Sequence, residues 1–182
     1  MAQTERDQTA VRTLLADNTT ADISPEDLRD AMASAMGYGC MVLSAAGAPA
    51  VMSAVGTTFE LFDVFDTIHA QSSDVNTDGT SLTLSSTYDF TIGATGIYRT
   101  GFWASFSSDG TPTIITFRPH INASPGAIEV VRSASSSDVG VVSFEEISSL
   151  TAGDLLDMRV KIDTGTADLS FNAAGCLIHR VG

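Results

Sequence analysis

From Gly56 onward the apolar residues fall at alternate positions, and the runs that carry this alternation are cut repeatedly by short turn compositions. Strand-bearing segments are expected at 58–68, 80–92, 96–106, 113–121, 127–131, 139–147, 155–162 and 167–181. Between them lie Asp78-Gly79, Asp109-Gly110, the serine-rich stretch 133–138 and the turn Thr151-Ala152-Gly153-Asp154. No helical period intervenes, so successive strands have no crossover that would make them parallel. A run of strands with this punctuation buries its alternate residues by stacking two sheets. The expected fold is therefore mainly β, an antiparallel two-sheet jelly-roll sandwich over 57–182.

The first 37 residues follow a different rule. Ala10, Val11, Leu14 and Leu15 share one helical stripe. A second helix has a sharper start: Ser24 suits the N-cap, Pro25 the first helical position, Glu26 and Asp27 the positive end of the dipole, and Ile23 can pack onto Leu28. Met32 continues that apolar face and Gly37 is placed to stop it. A helical hairpin this short has no core of its own, so residues 1–37 read as a docking or oligomerisation element whose contact residues are Leu14, Leu15, Ile23, Leu28 and Met32.

From Ala31 to Phe59 there is no charged side chain. Gly37, Gly39, Gly47, Pro49 and Gly56 interrupt this stretch and bulky apolar residues are sparse, which argues against a membrane span. Residues 38–56 are expected to be a small-residue connector packed between subunits.

Charge narrows the partners. Nine Lys and Arg stand against 22 Asp and Glu, a net of −13, and such a chain repels phosphate backbones. No nucleic-acid partner is expected. Apolar residues nonetheless make up 43 %, enough for a packed core. The residues from Met1 to Asp7 include Glu5, Arg6 and Asp7 and lead into no apolar run, so no secretory signal is expected.

Chemistry-bearing constellations are few. Asp74-Val75-Asn76-Thr77-Asp78-Gly79 has the alternating oxygens of half a calcium loop, with Asp74, Asn76 and Asp78 as ligands. The twelfth position, however, is Ser85 and a strand follows, which fits a plain Asp-Gly turn better. His69, His120 and His179 have no second ligand at helical or strand spacing. Glu145-Glu146 and Asp154 with Asp157 are carboxylate pairs of the kind glycosidases use, and solvated faces explain them as well. Phe62, Phe65, Phe90, Phe102, Trp103 and Phe106 read as sandwich core and subunit contact. Neither an enzyme nor a cofactor is expected. Cys40 and Cys176 lack zinc-site spacing and are expected to be reduced.

Three stretches resemble the tumour necrosis factor-like family, especially the globular heads of complement-type trimers. They are Thr95-Gly96-Ile97-Tyr98-Arg99 followed by Gly101-Phe102-Trp103-Ala104-Ser105-Phe106, then Leu150-Thr151-Ala152-Gly153-Asp154-Leu155-Leu156-Asp157-Met158-Arg159-Val160, and last Phe171 to Gly175 with Cys176-Leu177-Ile178. This resemblance implies a homotrimer, for which Tyr98, Phe102, Trp103 and Phe106 are the expected interface residues. It also implies neighbouring first and last strands, the one arrangement in which Cys40 would approach Cys176.

The leader Asp17-Asn18-Thr19, then Ile23, then Asp27-Leu28-Arg29-Asp30, resembles leader segments of tailed-phage head fibres, decoration proteins and tail fibres. Together the two resemblances imply a bacteriophage virion structural protein, a homotrimeric capsid decoration, cement or head-fibre protein. Its N-terminus would bind the major capsid protein or another virion protein, and it would be made in the host cytoplasm and carried on the virion surface. The alternative is a tail-associated receptor-binding head recognising a host surface glycan or protein. The short chain, with no fibrous shaft, favours the capsid.

Overall fold

Thirteen strands form among the described residues, which in this computed structural model are 38–43, 49–71, 75–76, 88–109 and 113–181. The expected helical hairpin, with Leu14, Leu15, Ile23, Leu28 and Met32, lies outside the described residues, as do Asp74 and Asp78 of the calcium-like loop. No helix among the described residues is long and apolar enough to cross a membrane.

The strands divide between two antiparallel sheets. One runs β11 (Gly140–Leu150), β7 (Gly96–Ser108), β13 (Ala167–Arg180), β1 (Tyr38–Leu43) and β4 (Thr67–Gln71), with β2 (Ala50–Val55) also paired to β13. The other runs β10 (Val130–Ala134), β8 (Thr113–Ile121), β12 (Leu155–Ile162), β6 (Asp89–Ile92) and β5 (Val75–Asn76). Beside it, β3 (Glu60–Leu61) pairs with β12 and β9 (Ser124–Pro125) with β8.

Alternation sets which side chains face the sandwich interior. In β7 these are Tyr98, Thr100, Phe102, Ala104, Phe106 and Ser108; in β12 they are Leu156, Met158, Val160 and Ile162. β13 changes phase midway: Ala167, Leu169 and Phe171 are buried, then Ala174, Cys176, Ile178 and Arg180. The register with β7 shifts between Phe171 and Ala173, so the extra residue of a bulge moves the inward set from odd to even positions.

Two expectations are corrected here. Residues 38–43 and 50–55 are strands and not a connector: β1 pairs along one part of β13 and β2 along another, so both belong to the sandwich, while 44–48 lie outside the described residues. In these strands Met41, Met52 and Val55 are buried against the core, and Tyr38 and Val51 are uncharged although exposed. Segment 58–68 is not one strand either. After the two residues of β3, residues 62–66 are irregular and plug the sandwich, with Phe62, Val64 and Phe65 all buried.

Phe62 is the hub of that plug. Its ring meets Phe65, Phe102 and Phe171 at centroid distances of 5.0, 5.3 and 4.8 Å, and Phe117 at 6.3 Å. Its amide donates to the Met158 carbonyl at 2.8 Å, which ties the plug to the second sheet.

First and last strands are indeed neighbours, yet the two thiols do not meet. Cys40 is opposite Leu177, whereas Cys176 is opposite Met41, so the sulfurs point to opposite faces of the sheet. Both cysteines are free. Burial pushes both thiols up, Cys176 much further, which disfavours their thiolate forms.

Candidate functional site

The face of the six-stranded sheet that points away from the core is the most distinctive surface of the described chain. Antiparallel register places its side chains in rows across β1, β13, β7 and β11. One row reads Tyr38, His179, Arg99, Ile147; the next Cys40, Leu177, Gly101, Glu145; the next Val42, Gly175, Trp103, Ser143; and beyond it Ala173, Ser105 and Val141. Ile147 is 70 % exposed and Val141 64 %, while Tyr38, Ile97, Trp103 and, on β2, Val51 are exposed as well. Apolar side chains left in water this densely on one sheet face mark a contact surface.

Trp103, the only tryptophan, lies flat against the sheet over Gly175. A methyl group on Gly175 would fall 1.9 Å from Trp103 Cζ2, so the ring fits only because β13 carries no side chain there. Beside it is a shallow depression of about 370 Å³ lined by Leu177, Ser143, Glu145 and the tryptophan. Gly175→Ala is expected to lift the indole off the sheet. The fold should lose about 1 kcal/mol, and the emission of the single tryptophan should shift to the red.

An ion pair crosses this face between neighbouring strands. Arg99 Nη2 donates to Glu145 Oε1 at 2.6 Å, a diagonal pair between neighbouring strands. Glu146, next in sequence, points to the other side of the strand and accepts from Ser148 Oγ at 3.0 Å. The two carboxylates of the sequence pair therefore never share a site.

Asp154 and Asp157 are likewise separated by role. Asp154 closes the turn between β11 and β12, where its Oδ2 accepts from the Thr151 amide and its Oδ1 from Asn122 Nδ2, both at 2.8 Å. Gly153 supplies the positive φ of 91° that this turn needs. The leucine, two spacers, Gly-Asp stretch is thus a turn device. Asp157 is nearly buried and accepts from Arg159 Nε at 2.8 Å and Nη2 at 3.0 Å. The same bond raises the guanidinium's affinity for its proton.

Of the expected interface residues, Tyr98, Phe102 and Phe106 are 0 %, 1 % and 0 % exposed within one chain. They lie on the inward positions of β7 and pack the core, because an aromatic run with period two sends every member to the same side. Trp103, at the intervening position, is the one that faces outward. Ile147 and Val141 were missed because β11 carries apolar and polar residues on both of its sides, so no sequence signal says which side is exposed; Ile97, on β7, shares its side with Arg99 and Gly101 and stands outside the aromatic run. His179 is on the face, His120 is on the opposite sheet, and no three His, Cys, Asp or Glu among the described residues are grouped to hold a metal.

No family model matches the sequence, and no curated protein matches it. Among solved structures, Eiger TNF from S. frugiperda superposes with a TM-score of 0.55 at 12 % identity, covering 81 % of this chain and 93 % of that one. The globular domain of zebrafish complement 1qA protein gives 0.52 at 15 % identity, covering 81 % and 98 %. At such identities the likeness is one of fold: a tumour necrosis factor-like, complement-head-like jelly roll.

Proposed function

We propose that this chain is a non-catalytic assembly module of a bacteriophage virion, which self-associates through the outward face of β1, β13, β7 and β11 and is fastened to the particle by residues 1–37. One observation carries the self-association: Trp103, Ile147, Val141, Ile97 and Tyr38 stand exposed together on one flat sheet face whose charged pair is already matched. A threefold assembly is the reading that the tumour necrosis factor-like resemblance favours, and the phage leader resemblance supports attachment to a capsid or other virion protein. The carboxylates that suggested hydrolysis are instead engaged in a turn, a surface ion pair and a nearly buried ion pair, which supports a structural role.

Light scattering on the purified full chain tests the association. A mass near three times 19.0 kDa at micromolar concentration is the expected result, accompanied by a blue shift of Trp103 emission as concentration rises, and a mass near 19.0 kDa overturns it. Removing residues 1–37 should leave that mass multiple intact and abolish binding to virions. Virions that lack the protein, stay intact and fail to adsorb to host cells would favour the receptor-binding reading.

A further inference from the structure

On the opposite sheet, away from the proposed contact face, one buried histidine has been left half-satisfied. His120 in β8 is 4 % exposed, and its Nδ1 is 3.2 Å from the Ala123 carbonyl. A carbonyl only accepts, so Nδ1 holds the proton of the neutral ring and Nε2 keeps a lone pair. Nε2 is buried and has no hydrogen-bond partner among the described residues. Phe59 packs against the ring at a centroid distance of 5.2 Å with planes at 62°, and Lys161 Nζ is 5.0 Å from the centre of the same phenyl ring.

The surroundings suit a neutral ring and oppose a charged one. Arg118, two residues before His120 on β8, is directly opposite Arg159 on β12, which is therefore diagonal to His120. Across from His120 is Asp157, whose two carboxylate oxygens already serve Arg159. Arg118 is committed to the Gly126 carbonyl and Glu129. The segment over the ring contributes Glu60, whose carboxylate accepts from the Gly56 amide, and on β9 the residue opposite His120 is Pro125. Asp157, Glu60 and Glu129 each already hold a donor, and none of them is bonded to Nε2.

We infer that His120 is an acid-sensitive latch: protonation at Nε2 forces Phe59 and its turn off the outer face of the seven-stranded sheet so that water can reach the cation. Phe59 is the cover with the fewest ties. Thr57 and Thr58 before it are exposed and irregular, while backbone bonds hold the segment only at its ends, from Ile162 to the Gly56 carbonyl at 2.9 Å and through the pairing of Glu60 and Leu61 with β12. Burial first, and then the Coulomb effects of Arg159 and Arg118, outweigh the Ala123 carbonyl and Asp157 and hold the ring's affinity for a proton below that of a free histidine. The opened state therefore binds more protons than the closed one once pH falls below about 6.5. The latch is fully closed above that value and loosens beneath it.

Amide hydrogen exchange on the full chain, corrected for intrinsic rates, tests this between pH 7.0 and 5.5. Opening of residues 57–61 and 120–126 should rise by up to about tenfold per pH unit, one proton being taken up, while β7 and β13 stay protected. His120→Phe keeps a packed ring with nothing to protonate and should abolish the rise. If that variant does not fold, the wild type decides by itself: the His120 ring, followed by NMR, should titrate below about 6.5 in step with the exchange. Equal opening in His120→Phe, no rise in the wild type, or a ring that titrates at or above the free value overturns the latch.

Discussion

Phe62→Ala is expected to cost about 3–5 kcal/mol of folding stability, the upper range for removing a buried aromatic side chain. Phe62 is 0 % exposed and touches rings from both sheets, Phe102 and Phe171 on one side and Phe117 on the other. The cavity left behind cannot collapse easily, because those rings are borne on strands held in register by β7–β13 and β8–β12 pairing. For a domain whose total stability is about 5–15 kcal/mol, the loss is a large fraction. Denaturant titration at one fixed protein concentration measures it, and the thermal midpoint should fall by roughly 10 °C or more. A loss under about 1 kcal/mol would mean that the irregular segment 62–66 repacks freely and is not the plug described above.

Ile147→Glu should have a large effect of a different kind, on assembly with the fold left intact. Ile147 is 70 % exposed in the single chain, so its replacement costs the sandwich little by itself, within about 0.5 kcal/mol. Within a packed interface a carboxylate at 147 would be buried beside Glu145 with the already paired Arg99 directly opposite it, so two carboxylates would share one guanidinium. A penalty of about 3 kcal/mol or more at each contact corresponds to affinity weakened more than a hundredfold. The expected result is a folded chain of mass near 19.0 kDa with the tryptophan emission of a solvent-exposed ring. Retention of the wild-type mass would place the subunit contact elsewhere.

Much of the strand content was readable because backbone pleating converts sequence alternation directly into sidedness. The segments at 96–106, 113–121 and 155–162 each contain the alternating core that pairs in the sandwich. Alternation fails as a guide where the backbone leaves the pleat. In β13 the bulge near Asn172 reverses the phase, and in 62–66 an irregular stretch buries Phe62, Val64 and Phe65 with no strand at all. The charge-free 38–56 stretch reads as a connector because its glycines and alanines mask the alternation, yet 38–43 and 50–55 pair with β13, a partner more than a hundred residues away.

The contact face was half legible. An aromatic cluster at 98–106 pointed to β7, and alternation alone set Trp103 on the other side from Tyr98, Phe102 and Phe106, but only the packing of the second sheet decided which of the two sides is exposed. Pairing with β13 joined Trp103 to Gly175, far along the chain.

By itself, then, the sequence determined that this protein builds antiparallel strands, where most of their turns fall and which residues within a regular strand share a side. The tertiary structure decided which side is the inside, that Cys40 and Cys176 are neighbours in register without facing each other, and that His120 is enclosed. The physical reason is that periodicity is a local property of the pleated backbone, whereas burial depends on what a distant strand lays against each face.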